Sequence, residues 1–140
     1  MKKRIWVLAA FIVVLLVLCA SLFQYQWQKN GKLERMCHSS VDAALNCFEA
    51  YAISNDETVY TRGVAEFRAY MQTYFFLIDE EGVSGYLSCE KLYTEMTLHP
   101  ENVKKHIPEL VDALTYLAED YKHHNGFDLI STLTEQINAE

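Results

Sequence analysis

The longest apolar stretch of the chain runs from Ile5 to Phe23, nineteen residues without a charge, a glycine or a proline. At about 1.5 Å of rise per residue, a helix of this length covers roughly 28 Å, close to the hydrocarbon thickness of a bilayer. The flanks are typical of a membrane span, with basic residues before it and aromatic residues at both edges: Lys2, Lys3, Arg4, Trp6, Tyr25 and Trp27. Because basic flanks stay in the cytoplasm, we expect a single-pass cell-membrane protein whose C-terminal part lies outside.

A cleaved signal peptide is the alternative to a retained anchor. The apolar core of a signal peptide is typically about 7–15 residues long, so the longer run favours the anchor. Cys19-Ala20-Ser21 is an acceptable cleavage site, which leaves cleavage open. Lipidation of Cys19 is disfavoured, because Leu18 stands where lipoprotein signals have a small residue. We divide the chain into a basic N-terminus with a signal-anchor, residues 1–28, and an extracytoplasmic domain, residues 29–140.

Beyond the span, apolar residues recur three and four positions apart, which predicts helices. The predicted helices cover residues 30–53, continuing from the span, then 57–78, 84–98, a stretch from Pro100 to a stop at Asn125-Gly126, and 128–138. Within the fourth stretch, Pro108 predicts a kink or a restart. Short turns favour antiparallel neighbours. The predicted fold is therefore all-α, a single N-terminal transmembrane helix followed by an antiparallel bundle of four to five helices.

Local signals predict how some of these helices end or pack. Ser54 and Glu57 have the spacing of a capping box at the start of the second helix. Gly82 is expected to end that helix in the left-handed conformation. Gly63 lies inside the helix and indicates close approach by a neighbour. His123 and His124 are expected where a cation complements a helix C-terminus.

The charge of the part beyond Gln28 is strongly negative, with nineteen acidic and nine basic side chains and a net charge of −10. Such a surface argues against a nucleic-acid partner and against lying flat on an anionic membrane. It suits a solvated surface, and it would suit a basic partner.

Three cysteines lie beyond the span. Cys37 and Cys47 are about 15 Å apart along one helix and cannot bridge each other. Counting residues from the turns of an up-down-up arrangement puts Cys37 and Cys89 in the same layer. A Cys37–Cys89 disulfide is expected if the first and third helices are neighbours, and is excluded if they lie diagonally. The alternative is that all three are small buried apolar residues.

No catalytic, cofactor-binding or metal-binding motif is present in the sequence. The five histidines form no HExxH pair and have no carboxylate pattern that completes a metal site. Tyr70, Tyr74 and Phe75 could line a ligand cavity, but core packing explains them better because they fit the apolar stripe. We therefore expect neither an enzyme nor a bound cofactor.

The favoured function is a membrane-anchored interaction or accessory module that acts through another membrane or envelope protein. The alternative is a sensor-like bundle that binds a small molecule between its helices. Because only Met1–Arg4 precede the span, such a sensor would need a partner to signal. The sequence leaves the oligomeric state open.

A chain that begins at Gln28 should be soluble, folded and helical, because its apolar stripes can cover one another without lipid. Far-ultraviolet circular dichroism of the purified fragment tests this. A largely unfolded spectrum would contradict the assignment of a self-sufficient domain.

Overall fold

The computed structural model describes residues 2–139, with side chains from residue 11 onward, and within this range the regular structure is entirely α-helical. The helices are α1 (Lys2–Ser54), α2 (Glu57–Tyr74), α3 (Val83–Leu98), α4 (Pro100–Lys104), α5 (Ile107–Glu119) and α6 (His124–Ala139). This confirms the all-α class for the described residues. Contacts divide the chain into two compact units, Met1–Lys32 and Leu33–Glu140. The functional boundary after Gln28 stays a prediction.

The unit that begins at Leu33, called here the helical unit, buries the apolar stripes that the sequence predicts. Its core consists of residues from α1, α2, α3, α5 and α6 together with Val103 of α4 and Tyr121 between α5 and α6. The buried stripe of α1 is Cys37, Val41, Ala44, Phe48 and Tyr51. The buried stripe around α5 is Val103, Ile107, Leu110, Leu114, Leu117 and Tyr121.

In the proline-containing segment the helix is interrupted, but the apolar stripe continues. Helix α4 ends at Lys104, and α5 begins at Ile107 with Pro108 in its first turn. A proline is tolerated there because the first amides of a helix have no intrahelical acceptor. The stripe stays in register across the break, as the sequence predicts.

The expected stop at Asn125-Gly126 is wrong, because α6 already begins at His124. Gly126 is buried, and a Cβ at this position would lie 2.8 Å from side-chain atoms of Leu117. The glycine therefore permits close packing of α6 against α5 and does not end a helix.

The residue predicted as the N-cap of α2 is also wrong. Asp56, not Ser54, is the N-cap, and its carboxylate accepts the Thr58 amide at 2.8 Å. The Ser54 hydroxyl donates to the carbonyl of Ala50 and accepts the amide of Asp56 at 3.2 Å, an amide that lies before the helix and not in its first turn. Asn55 takes the left-handed conformation at φ 52°, which allows α1 to end and the chain to turn within two residues.

Helix α2 ends four residues earlier than its apolar run predicts. Beyond Tyr74 the amides of Phe76 and Leu77 bond to carbonyls three residues back, which tightens the turn and changes the face on which side chains emerge. Gly82, expected to be left-handed, has a φ of −74° and is the N-cap of α3. A Cβ there would lie 2.7 Å from the Tyr74 hydroxyl, so close approach explains the glycine.

Helix α3 lies at the centre of the helical unit, in contact with α2, α4 and α6, and α6 also packs on α5. Glycines permit two of the close contacts. Gly63 of α2 faces the Phe48 ring of α1, as the sequence indicates, and Gly85 of α3 faces the Phe127 ring of α6. Lys104 of α4 donates to the Glu57 carboxylate of α2 at 2.8 Å.

Replacement of Gly85 by alanine should destabilise the helical unit by about 1–3 kcal/mol although alanine is the better helix former. The new Cβ would lie 2.5 Å from the Phe127 ring, whose position the core fixes. Chemical denaturation checks this. Gly31→Ala is the matched control, since nothing lies within 4 Å of a Cβ there. Equal or higher stability of Gly85→Ala would contradict the packing.

Candidate functional site

The large apolar side chains of the N-terminal unit that the structure describes, from Phe11 onward, are not buried. Those between Phe11 and Phe23 are between 45% and 75% exposed. Helix α1 contains a window of mean hydropathy 1.6 in which no residue is buried, so by length and composition it is a candidate for one membrane span. A signal sequence near an N-terminus has a similar length and composition. Tyr25 and Trp27 are exposed. The side chains of Lys2, Lys3, Arg4 and Trp6 lie outside the described residues.

Tyr70 and Tyr74, two of the three aromatic residues considered for a ligand cavity, are core residues. The Tyr70 side chain is fully buried, and its hydroxyl donates to the Tyr121 carbonyl at 2.7 Å. Its ring stacks on Tyr74 with centroids 5.7 Å apart, and Tyr74 in turn contacts Phe127 at 5.4 Å. Burial raises the pKa of Tyr70 well above its ordinary value, and the nearby Cys89 and Cys37 thiols raise it further.

Cys37 and Cys89 are both fully buried, and both lie near Tyr70; their expected common layer stays a prediction. The Cys37 thiol is 4.0 Å from the Tyr70 carbonyl, and burial raises its pKa to about 12. Burial, and then the neighbouring Cys37, raise the pKa of Cys89. Cys47 is half-buried beside Gly63. The structure holds all three as free thiols, so the Cys37–Cys89 disulfide stays a prediction.

The histidines are dispersed. Among the described residues, no group of three or more His, Cys, Asp or Glu side chains could hold a metal ion. His123 and His124 are not at a helix C-terminus as expected, because α5 ends at Glu119 and α6 begins at His124. The Nδ1 atom of His123 is buried without a hydrogen-bond partner in the part of the chain that the structure describes.

An exposed apolar surface lies where α2 meets α3. Phe75 is 55% and Phe76 is 70% exposed, and their ring centroids are 5.8 Å apart. Phe75 also contacts Tyr86 at 5.4 Å. Val83 and Leu87, one helical turn apart at the start of α3, are also exposed. We call these five residues the aromatic patch.

The sequence did not identify the aromatic patch as a surface. Phe75 was expected in the apolar stripe of α2. This expectation is wrong, because the helix ends at Tyr74 and the rings of Phe75 and Phe76 both lie exposed beyond it. The available signal was the excess of apolar residues around this helix, more than one buried face can use.

Two grooves cross the helical unit. The α5–α6 groove, about 620 Å³, is lined by Glu109, Asp112, Thr115, Tyr116, Glu119, Leu129, Thr132, Leu133 and Gln136. The second groove, about 540 Å³, lies between the α2–α3 and α5–α6 connections, and its lining includes Tyr74, Asp79, Gly82, Asp120 and His123.

No protein-family model, curated protein or solved structure matches this chain.

The unfolding free energy should fall by roughly 3 kcal/mol or more between pH 8 and pH 10.5. The buried Cys37 thiol has a pKa of about 12 against an ordinary 9.0, and Tyr121 about 12 against 10.0. Because these groups ionise in the unfolded chain first, their contribution is complete below pH 9 and is lost as pH rises towards 12. Urea denaturation under reducing conditions measures the unfolding free energy at each pH. A stability that does not change with pH over this range would contradict the burial of these side chains.

Proposed function

We propose that the chain is a membrane-anchored module that acts by contacting another membrane or envelope protein. The apolar segment of α1 spans the cell membrane once as a signal-anchor, with the N-terminus in the cytoplasm. The remainder forms an extracytoplasmic antiparallel bundle. The single observation that carries the contact role is the aromatic patch, two phenylalanine rings that are more than half exposed.

The aromatic patch supports a contact role because the helical unit has a complete core without it. Twenty-four apolar residues are buried in that core, and neither Phe75 nor Phe76 is among them. Covering an exposed phenylalanine contributes roughly 1.5–3 kcal/mol, so a clustered pair is a strong anchor for a partner. Contiguous exposed apolar surface is typical of interaction sites.

The orientation rests on charge. The three basic residues before the span favour the cytoplasm. The part beyond Gln28 has a net charge of −10, and acidic side chains do little to hold a segment in the cytoplasm. The same negative charge argues against a nucleic-acid partner. A non-enzymatic role without a cofactor is part of this proposal.

A sensor-like role, in which the helical unit binds a small molecule and signals through a partner, is the second candidate. The second groove favours it, because its volume of about 540 Å³ lies in the range of ligand sites. Tyr74 borders this groove. However, the rings of Tyr70, Tyr74 and Phe127 pack on one another and leave little room for a ligand between the helices. We therefore rank this role below the contact role.

A photocrosslinking phenylalanine analogue at position 76 should give discrete adducts with an envelope protein in intact cells. The same analogue at Thr94, an exposed residue of α3, is the control and should give none. Phe75→Ser should reduce the adducts at position 76 by removing the adjacent ring. Adducts of equal yield at both positions, or only uncrosslinked chain at position 76, would contradict the contact role of the aromatic patch.

A further inference from the structure

The α5–α6 groove has two chemically different walls over an apolar floor. The α5 wall carries Glu109, Asp112 and Glu119, and the lining residues of α6 are uncharged. Leu133 is 2% exposed and forms the floor, while the exposed fractions of Tyr116 and Leu129 are 39% and 38%. No lysine or arginine lines the groove.

The acidic wall is a linear array. Glu109, Asp112, Tyr116 and Glu119 follow one another at spacings of three and four along one face of α5. The ten steps from Glu109 to Glu119 correspond to about 15 Å of rise, or about three turns of a facing helix. Within α5 itself, residues 107–119, there is no lysine or arginine, so every charged side chain on this wall is acidic.

Two of the three carboxylates are unengaged. Glu109 lies 3.7 Å from His106, whereas Asp112 and Glu119 have no ion pair within the described residues. The three carboxylates repel one another in the free protein. A cationic partner relieves that repulsion and can cover the exposed parts of Tyr116 and Leu129.

We propose that the α5–α6 groove binds a basic amphipathic segment of a partner protein, about three helical turns long. Its lysine or arginine side chains face Glu109, Asp112 and Glu119, and its apolar side chains cover Leu129 and Tyr116. This inference rests on the proposed contact function, because it gives the chemistry of a partner. It uses a different surface from the aromatic patch, so the two can fail separately.

The probe is a fluorescent twelve-residue helical peptide with lysines along one face and leucines beside them, added to the full chain in non-ionic detergent. Fluorescence anisotropy at low salt should give saturable binding. A peptide with glutamate at every lysine position should not bind. Raising the salt from 50 to 300 mM should weaken binding several-fold, because the rim charges are solvent-exposed.

The deciding comparison uses matched variants with the same net charge. The groove variant combines Glu109→Gln, Asp112→Asn and Glu119→Gln, and it should bind the basic peptide about tenfold more weakly, as expected for three exposed ion pairs. The control variant combines three acids elsewhere, Glu49→Gln, Glu66→Gln and Glu90→Gln, and should bind like the parent. Circular dichroism verifies that both are folded.

Equal weakening by the two variants would overturn the proposal, because binding would then follow net charge and not the groove. Absence of saturable binding to the parent chain would also overturn it. Position-specific crosslinks at residue 76 with no peptide binding would refute the groove alone. Groove-dependent peptide binding without those crosslinks would refute the aromatic patch and leave the groove in place.

Discussion

The hydrogen bond from the Tyr70 hydroxyl to the Tyr121 carbonyl is the contact on which the packing of the helical unit depends. It joins α2 to the segment between α5 and α6 at 2.7 Å, inside a region where Tyr70 has no exposed surface. A buried hydroxyl without a partner costs about 1–3 kcal/mol, so Tyr121 must stay in place for Tyr70 to be tolerated in the core. Tyr74 and Phe127 pack on the same ring cluster, and the buried Cys37 and Cys89 thiols border it.

The apolar residues therefore fall into two groups, those buried in the core of the helical unit and those left exposed. Phe75 and Phe76 of the aromatic patch are not part of the buried cluster, and the apolar side chains between Phe11 and Phe23 are exposed. The aromatic patch is suited to a protein partner and the N-terminal side chains to lipid. The α5–α6 groove differs from both, because an acidic wall stands over an apolar floor and selects for a cationic, amphipathic ligand.

Periodicity in the sequence was sufficient for the helices and their buried faces, because a stripe such as Leu110, Leu114 and Leu117 repeats one burial pattern over several turns. Helix ends and glycine roles were not predictable, since they depend on tertiary neighbours. Gly126 packs against Leu117 and does not end a helix. Phe75 and Phe76 fit the apolar pattern of α2, but the helix ends before them. The grooves join residues of separate segments, so no local pattern indicates them.

The location of the helical unit tests the central claim most directly. A single reactive cysteine at the exposed position 90 would be treated with a membrane-impermeant maleimide in intact cells, in a chain whose exposed Cys19 and half-buried Cys47 are replaced by alanine and serine. We predict labelling without lysis, with the uncleaved chain retained in carbonate-washed membranes, and labelling of Lys3→Cys only after lysis. Labelling of position 90 only after lysis, or a soluble chain lacking its apolar N-terminus, would contradict an anchored extracytoplasmic module.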